Sequence, residues 1–91
     1  MELTELREQI DAIDRELVAL LERRLDVSAG IGRYKLAHDL PVLDASREAE
    51  KLAAIRAMCR PETQAHIDRA FDAILAGSRA YQGQLMEQSH E

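Results

Sequence analysis

Between residues 3 and 38, apolar side chains recur at alternating steps of three and four positions. The series is Leu3, Leu6, Ile10, Ile13, Leu17, Leu20, Val27, Ile31 and Tyr34. This periodicity predicts one long helix with a single apolar stripe, about 50 Å in length, for which Thr4 is a candidate N-cap. One position of this stripe, Arg24, is polar. A buried arginine at this position would destabilise the packing of the helix unless an anionic group pairs with it.

Two shorter helices are predicted after the long one. Pro41 ends the first helix because proline cannot continue it, and Asp44 has the chemistry of an N-cap for a second helix over about 45–58. Pro61 suits the first turn of a third helix, which is expected to run to about residue 88. No segment alternates as a strand does, so the sequence predicts an all-α fold of three helices: very long, short and medium.

At 91 residues, the chain is expected to form a single domain over residues 1–91. A helix this long has few partners within so short a chain, so burial between subunits is expected. The net charge of −5 and the lack of a basic tract give little support for nucleic-acid binding. No apolar run approaches the length of about 18 residues that a membrane span needs. The charged N-terminus lacks a signal peptide's apolar core, which predicts a cytoplasmic protein.

The residues that most often bind metals show no site pattern. The single cysteine, Cys59, cannot form an intrachain disulfide and is interpreted as a small core or loop residue. The histidines at positions 38, 66 and 90 lack metal-binding spacing and are interpreted as loop or surface residues. We therefore expect no metal site in this chain.

All three predicted helices carry polar side chains at or beside positions that would pack better if they were apolar. These side chains are Arg24, Ser28 and Lys35 on the first helix, Arg47 and Glu48 on the second, and Ser78 and Gln82 on the third. Taken singly, each is compatible with a solvated side chain or one that extends out of its seam. Taken together, they favour a pocket for a small polyanion, because arginine binds a carboxylate through two parallel hydrogen bonds.

Arg7 flanks the same stripe near the other end of the long helix. Residues 7 and 24 are separated by about 25 Å along the helix axis, too far to share one small ligand. Arg7 reaches a site at Arg24 only from a second copy of the helix packed antiparallel. In a two-fold dimer this contact occurs twice and gives two equivalent sites.

Five motifs, in order along nearly the whole chain, resemble those of the all-helical (type II) class of chorismate mutases. They are L-R-x-x-I-x-x-I-D (6–14), E-R-R (22–24), G-x-x-K (32–35), P-V-x-D-x-x-R-E (41–48) and S-x-x-x-Q (78–82). The resemblance implies an intertwined homodimer of three-helix chains. In it the long first helices pair, and each site takes one arginine from the partner.

The resemblance also implies roles in converting chorismate to prephenate, a one-substrate [3,3] rearrangement without proton transfer. Arg7 would be the arginine supplied by the partner, and Arg24 would bind a substrate carboxylate. Lys35 and Gln82 would donate hydrogen bonds to the ether oxygen of the enolpyruvyl group, where negative charge develops. Such a reaction needs neither a metal nor an organic cofactor.

Four further residues would complete this site. Glu48 and the backbone of Asp44 would hold the ring hydroxyl of chorismate. Arg47 would support this network, and Ser78 would assist at a carboxylate. All four roles are implied by the match to the family motifs, residue by residue.

Three alternative functions stay open. The same fold could act on isochorismate as a pyruvate lyase, which the D-x-x-R-E pattern at 44–48 disfavours. It could instead act as a 4-amino-4-deoxychorismate mutase, since Glu48 could pair with an ammonium as readily as with a hydroxyl. A non-catalytic helical dimerisation module would explain the heptads, but not Arg24, Ser78 and Gln82 in the seams.

Overall fold

The computed structural model describes residues 2–89. These residues form α1 (Leu3–Ala37), α2 (Ala45–Met58) and α3 (Gln64–Ser89), with a short 3-10 turn, Pro61–Thr63, immediately before α3. No strand occurs within 2–89. The predicted all-α class with a very long, a short and a medium helix is therefore confirmed, whereas the homodimer stays a prediction.

The helix ends follow local chemistry. Asp44 caps α2 as predicted, its side chain accepting a hydrogen bond from the Arg47 amide at 3.0 Å. At the end of α1, Asp39 adopts the left-handed conformation (φ 57°), and the Leu40 amide bonds back to the Lys35 carbonyl at 2.8 Å. Thr4 is not a cap: α1 begins after Glu2, which makes no side-chain cap hydrogen bond.

The packing is centred on α3, which contacts both α1 and α2. The buried apolar core within 2–89 consists of Ala29, Ile55 and Leu75. The chain measures 53 × 27 × 14 Å, and its radius of gyration is 16.4 Å. A compact domain of this length would have a radius of about 12 Å, so this chain is elongated and has a small core of its own.

The first half of α1 makes little contact with the rest of the chain. Every residue from 2 to 20 is exposed. The apolar stripe predicted there is uncovered within the chain, with its members from Leu3 to Leu20 between 42% and 61% exposed. The later members of the stripe, Val27, Ile31 and Tyr34, are also exposed, so the single chain does not bury the predicted stripe. The residues that α1 does bury are Ser28, Ala29 and Gly32.

The described helices include none that is both long and apolar enough to cross a membrane.

Cys59 is the C-cap residue of α2, is half-buried and is a free thiol. His38 and His66 are exposed, whereas His90 lies outside the described residues. Within 2–89, no group of three histidine, cysteine or acidic side chains could hold a metal ion. The cytoplasmic location stays a prediction.

Candidate active site

A cleft of about 380 Å³ lies between the second half of α1, the start of α2 and the middle of α3. Every predicted site residue except Arg7 lines it. These residues are Arg24, Lys35, Asp44, Arg47, Glu48, Ser78 and Gln82. The remaining walls include Val27, Ile31, Val42 and Leu75, which give the cleft an apolar component. The fold therefore brings together polar positions that the sequence separates by more than fifty residues.

A buried chain of hydrogen bonds joins α1 to α3 along one wall of the cleft. The hydroxyls of Ser28 and Ser78 are hydrogen-bonded to each other, and the side-chain amide of Gln82 donates to Ser28 Oγ at 2.8 Å. Ser28, Ser78 and Gln82 are 3%, 9% and 6% exposed. These polar residues occupy core positions because they satisfy one another's hydrogen bonds.

Gly32 allows this close approach of the two helices. A Cβ atom at residue 32 would lie 3.2 Å from Gln82 Cγ and 3.3 Å from Gln82 Cβ. The close contact at Gly32 compensates for the cost of about 1 kcal/mol that a glycine has in a helix interior. Gly30 has no such contact, because a Cβ there would meet only Arg33 of the same helix, at 3.9 Å.

Lys35 lies at the end of the buried hydrogen-bond chain. Its ammonium donates to the Val42 carbonyl at 2.6 Å and to Gln82 Oε1 at 3.3 Å. Both acceptors are neutral, and no described carboxylate forms an ion pair with Lys35. An ammonium has three N–H donors, so Lys35 keeps its charge uncompensated and has one donor for a ligand.

The α2 side of the cleft holds a carboxylate that is already paired. Arg79 on α3 donates to Glu48 Oε1 on α2 in a partly buried ion pair. Arg47 is exposed and lies 4.0 Å from Glu50, a separation at which an ion pair contributes little. The side chain of Asp44 is engaged as the α2 cap.

The cleft is positive although the chain as a whole is acidic. Its cationic side chains are Arg24, Lys35, Arg47, Lys51 and Arg79, against the two carboxylates of Asp44 and Glu48. Arg24 is half-buried, and none of the described carboxylates pairs with it. An excess of three formal positive charges beside apolar walls suits a small dianion.

The chain matches the model of the family described as chorismate mutase type II over residues 6–83. This protein belongs to the type II chorismate mutase family. The resemblance carried by the five sequence motifs is thereby confirmed.

Several curated proteins are similar to this family member. The T-protein of Enterobacter agglomerans is 46% identical over 55 residues, which are 60% of this chain and 15% of that protein. The bifunctional chorismate mutase/prephenate dehydratase of Escherichia coli K12 is 35% identical over 88 residues, 94% of this chain and 23% of that protein. The 4-amino-4-deoxychorismate mutase of Streptomyces venezuelae is 39% identical over 46 residues, 50% of this chain and 45% of that protein.

The chain spans less than a quarter of the length of the first two of these relatives. No solved structure matches it.

Among the predicted site residues of this type II chorismate mutase family member, Arg7 alone lies outside the cleft. It is exposed on the first half of α1, and no described carboxylate pairs with it. The rise of α1 places it about 25 Å from Arg24 along the helix axis. Within one chain, Arg7 therefore cannot contribute to the same small ligand as Arg24.

Two cleft residues, Lys51 and Arg79, were not predicted from the sequence. Lys51 lies one turn after Glu48 and Arg47 on α2, a spacing that could have indicated it. Arg79 adjoins Ser78 on α3 and resembles an ordinary solvated arginine. Its position in the cleft follows from the packing of α2 against α3, which no local pattern reveals.

Proposed function

We propose that the protein is a chorismate mutase that converts chorismate to prephenate. Membership of the type II family supports this function, as does the excess positive charge of the cleft. The proposal depends most on the uncompensated ammonium of Lys35, held 3.3 Å from the amide of Gln82 in a cleft that also contains an unpaired Arg24. This arrangement provides cationic and neutral donors close together for one anionic ligand.

The reaction breaks the ether C–O bond of chorismate and forms a C–C bond in one step, with no proton transferred. Negative charge grows on the ether oxygen as its bond breaks, so donors aimed at that oxygen favour the transition state. Lys35 has one free N–H for this purpose. The amide nitrogen of Gln82 has two N–H groups, of which Ser28 accepts one.

The other requirement is to hold the flexible dianion in its compact reactive conformer. Arg24 has the planar geometry to bind one substrate carboxylate through two hydrogen bonds. Ser78 adds a hydroxyl in the same cleft, and Glu48 offers an acceptor for the ring hydroxyl. The role of Arg47 is to keep this end of the cleft positive, and that of Asp44 is to fix the first turn of α2.

We infer that the protein is a homodimer in which the partner supplies Arg7. The exposed stripe of α1 from Leu3 to Leu20 supports this inference, because a monomer would leave it in water. An apolar groove of about 260 Å³ between α1 and α3, lined in part by Leu21, Leu25 and Ile74, extends the uncovered surface beside Arg24. Antiparallel pairing of two α1 helices buries the stripe and brings each Arg7 towards the other chain's cleft.

A direct assay tests the proposed reaction. Purified protein should consume chorismate and form prephenate in equal amounts, followed by NMR of both compounds without added metal or cofactor. A variant that removes the Lys35 ammonium, Lys35→Met, should lose most of this activity while keeping the helical circular dichroism of the wild type. If the wild type leaves chorismate unchanged, the proposed function is wrong.

The alternative of a non-catalytic dimerisation module is less well supported. Such a module gains nothing from Ser28, Ser78 and Gln82 at buried positions, where apolar residues would pack better. It also has no use for Arg24 without an anionic partner. Chorismate turnover by the wild type would exclude it.

A further inference from the structure

Arg79 makes the carboxylate of Glu48 part of an ion pair before any ligand binds. Its guanidinium donates to Glu48 Oε1, and the two side chains are 36% and 24% exposed. Within 2–89, Glu48 has no other ion-pair partner. Both side chains line the cleft, so Arg79 acts directly on the electrostatics of the α2 end of the site.

The ion pair leaves one oxygen of Glu48 available to a ligand. A neutral hydroxyl can donate a hydrogen bond to Oε2 without being repelled by the positive charge of Arg79. An ammonium at the same position would bring a second cation to within about 5 Å of the Arg79 guanidinium, given the width of a carboxylate and ordinary hydrogen-bond lengths. Arg47 and Lys51 line the same end and add to this repulsion.

We propose that Arg79 is a specificity-determining residue that makes Glu48 an acceptor for a hydroxyl-bearing substrate and disfavours an ammonium-bearing analogue. This inference rests on the proposed function. It separates two substrate classes that Glu48 alone does not distinguish, chorismate and 4-amino-4-deoxychorismate. A like charge at about 5 Å, partly screened by solvent, corresponds to roughly tenfold discrimination between them.

The test compares kcat/KM for the two substrates in the wild type and in charge variants of residue 79. The wild type should prefer chorismate, and Arg79→Met should reduce that preference about tenfold by removing the charge. Arg79→Lys keeps a cation beside Glu48 and should keep most of the preference. The matched control is Arg69→Met, which alters an exposed arginine of the same helix outside the cleft and should match the wild type.

The ratio of the two kcat/KM values distinguishes this inference from a merely structural role for Arg79. An equal loss with both substrates in Arg79→Met would leave the ratio unchanged and overturn the inference, as would a wild type that prefers the amino analogue. If Arg79→Met does not fold, Arg79→Gln removes the charge with a polar side chain and gives the same comparison. A wild type that converts neither substrate would instead overturn the proposed function, and this inference with it.

Discussion

Arg7 and Arg24 lie about 25 Å apart on α1, and this separation makes a sharp prediction for mixed dimers. Arg7→Ala and Arg24→Ala should each abolish most activity when expressed alone. Each change removes a charged, two-hydrogen-bond contact to a substrate carboxylate, which corresponds to a loss of about 100-fold or more. Arg15→Ala, which removes an exposed arginine from the same half of α1, is the matched control and should stay within about twofold of the wild type.

Co-expression of the two inactive variants should restore activity. A mixed dimer has one site that combines the intact Arg24 of one chain with the intact Arg7 of the other, while its second site lacks both. If chains pair at random, half of the dimers are mixed, so the sample should recover about a quarter of the wild-type rate. The assay is the initial rate of chorismate consumption by the unfractionated co-expressed sample. Mixed dimers isolated through a different affinity tag on each variant should show about half of the wild-type rate, because one of their two sites is intact.

The result that would refute this arrangement is equally clear. If Arg7 served the site of its own chain, neither site of a mixed dimer would be intact, and no activity would return. Full activity of Arg7→Ala alone would remove Arg7 from the site altogether. A monomeric wild type at assay concentrations, measured by light scattering, would contradict the shared site directly.

Three further predictions concern the cleft itself. Arg24→Leu should raise the free energy of unfolding by about 1 kcal/mol, because apolar packing replaces a half-buried charge that has no partner. The same variant should lose chorismate turnover, and unchanged turnover would contradict the proposed site. Wild-type activity should vary little between roughly pH 5 and pH 8, because the neutral amide of Gln82 donates throughout, and a steep loss above about pH 6 would contradict its role. In Gly32→Ala, the added Cβ would press against the Gln82 side chain, so kcat should fall. The melting temperature should change little, because alanine's gain in helix propensity of about 1 kcal/mol offsets the cost of this contact. Gly83→Ala, where an added Cβ meets nothing within 4 Å, should raise the melting temperature and leave kcat unchanged.

Much of the fold could be predicted from the sequence because its signals are local. Asp44 caps α2 through its own side chain, and α1 ends at Ala37, shortly before Pro41, which cannot continue a helix. The close approach of α1 and α3 at Gly32 could not be assigned to Gln82, because no local pattern relates two residues 50 positions apart. Arg79 could not be predicted, since its importance depends on its reaching Glu48 on a different helix.

The apolar stripe of α1 shows what periodicity determines and what it leaves open. It predicts which side of a helix is apolar, but not whether the same chain covers that side. In this protein the second half of α1 meets α3 through Ser28 and Gly32, which are not members of the stripe. The stripe itself stays exposed along both halves of α1, including Val27, Ile31 and Tyr34. The expectation that a second copy covers the stripe comes instead from the length of α1 in a chain of 91 residues.

The small core gives a physical reason to expect that the site and the dimer form together. The described chain has little hydrophobic stabilisation, because its buried apolar residues are Ala29, Ile55 and Leu75. The cleft has three excess positive charges, and their mutual repulsion destabilises the fold. Burial of the α1 stripe between two chains would supply the missing stabilisation and deliver Arg7 at the same time. A free monomer would lack both, so in the proposed homodimer the length of α1 would couple the folding of the pair to the completion of each site.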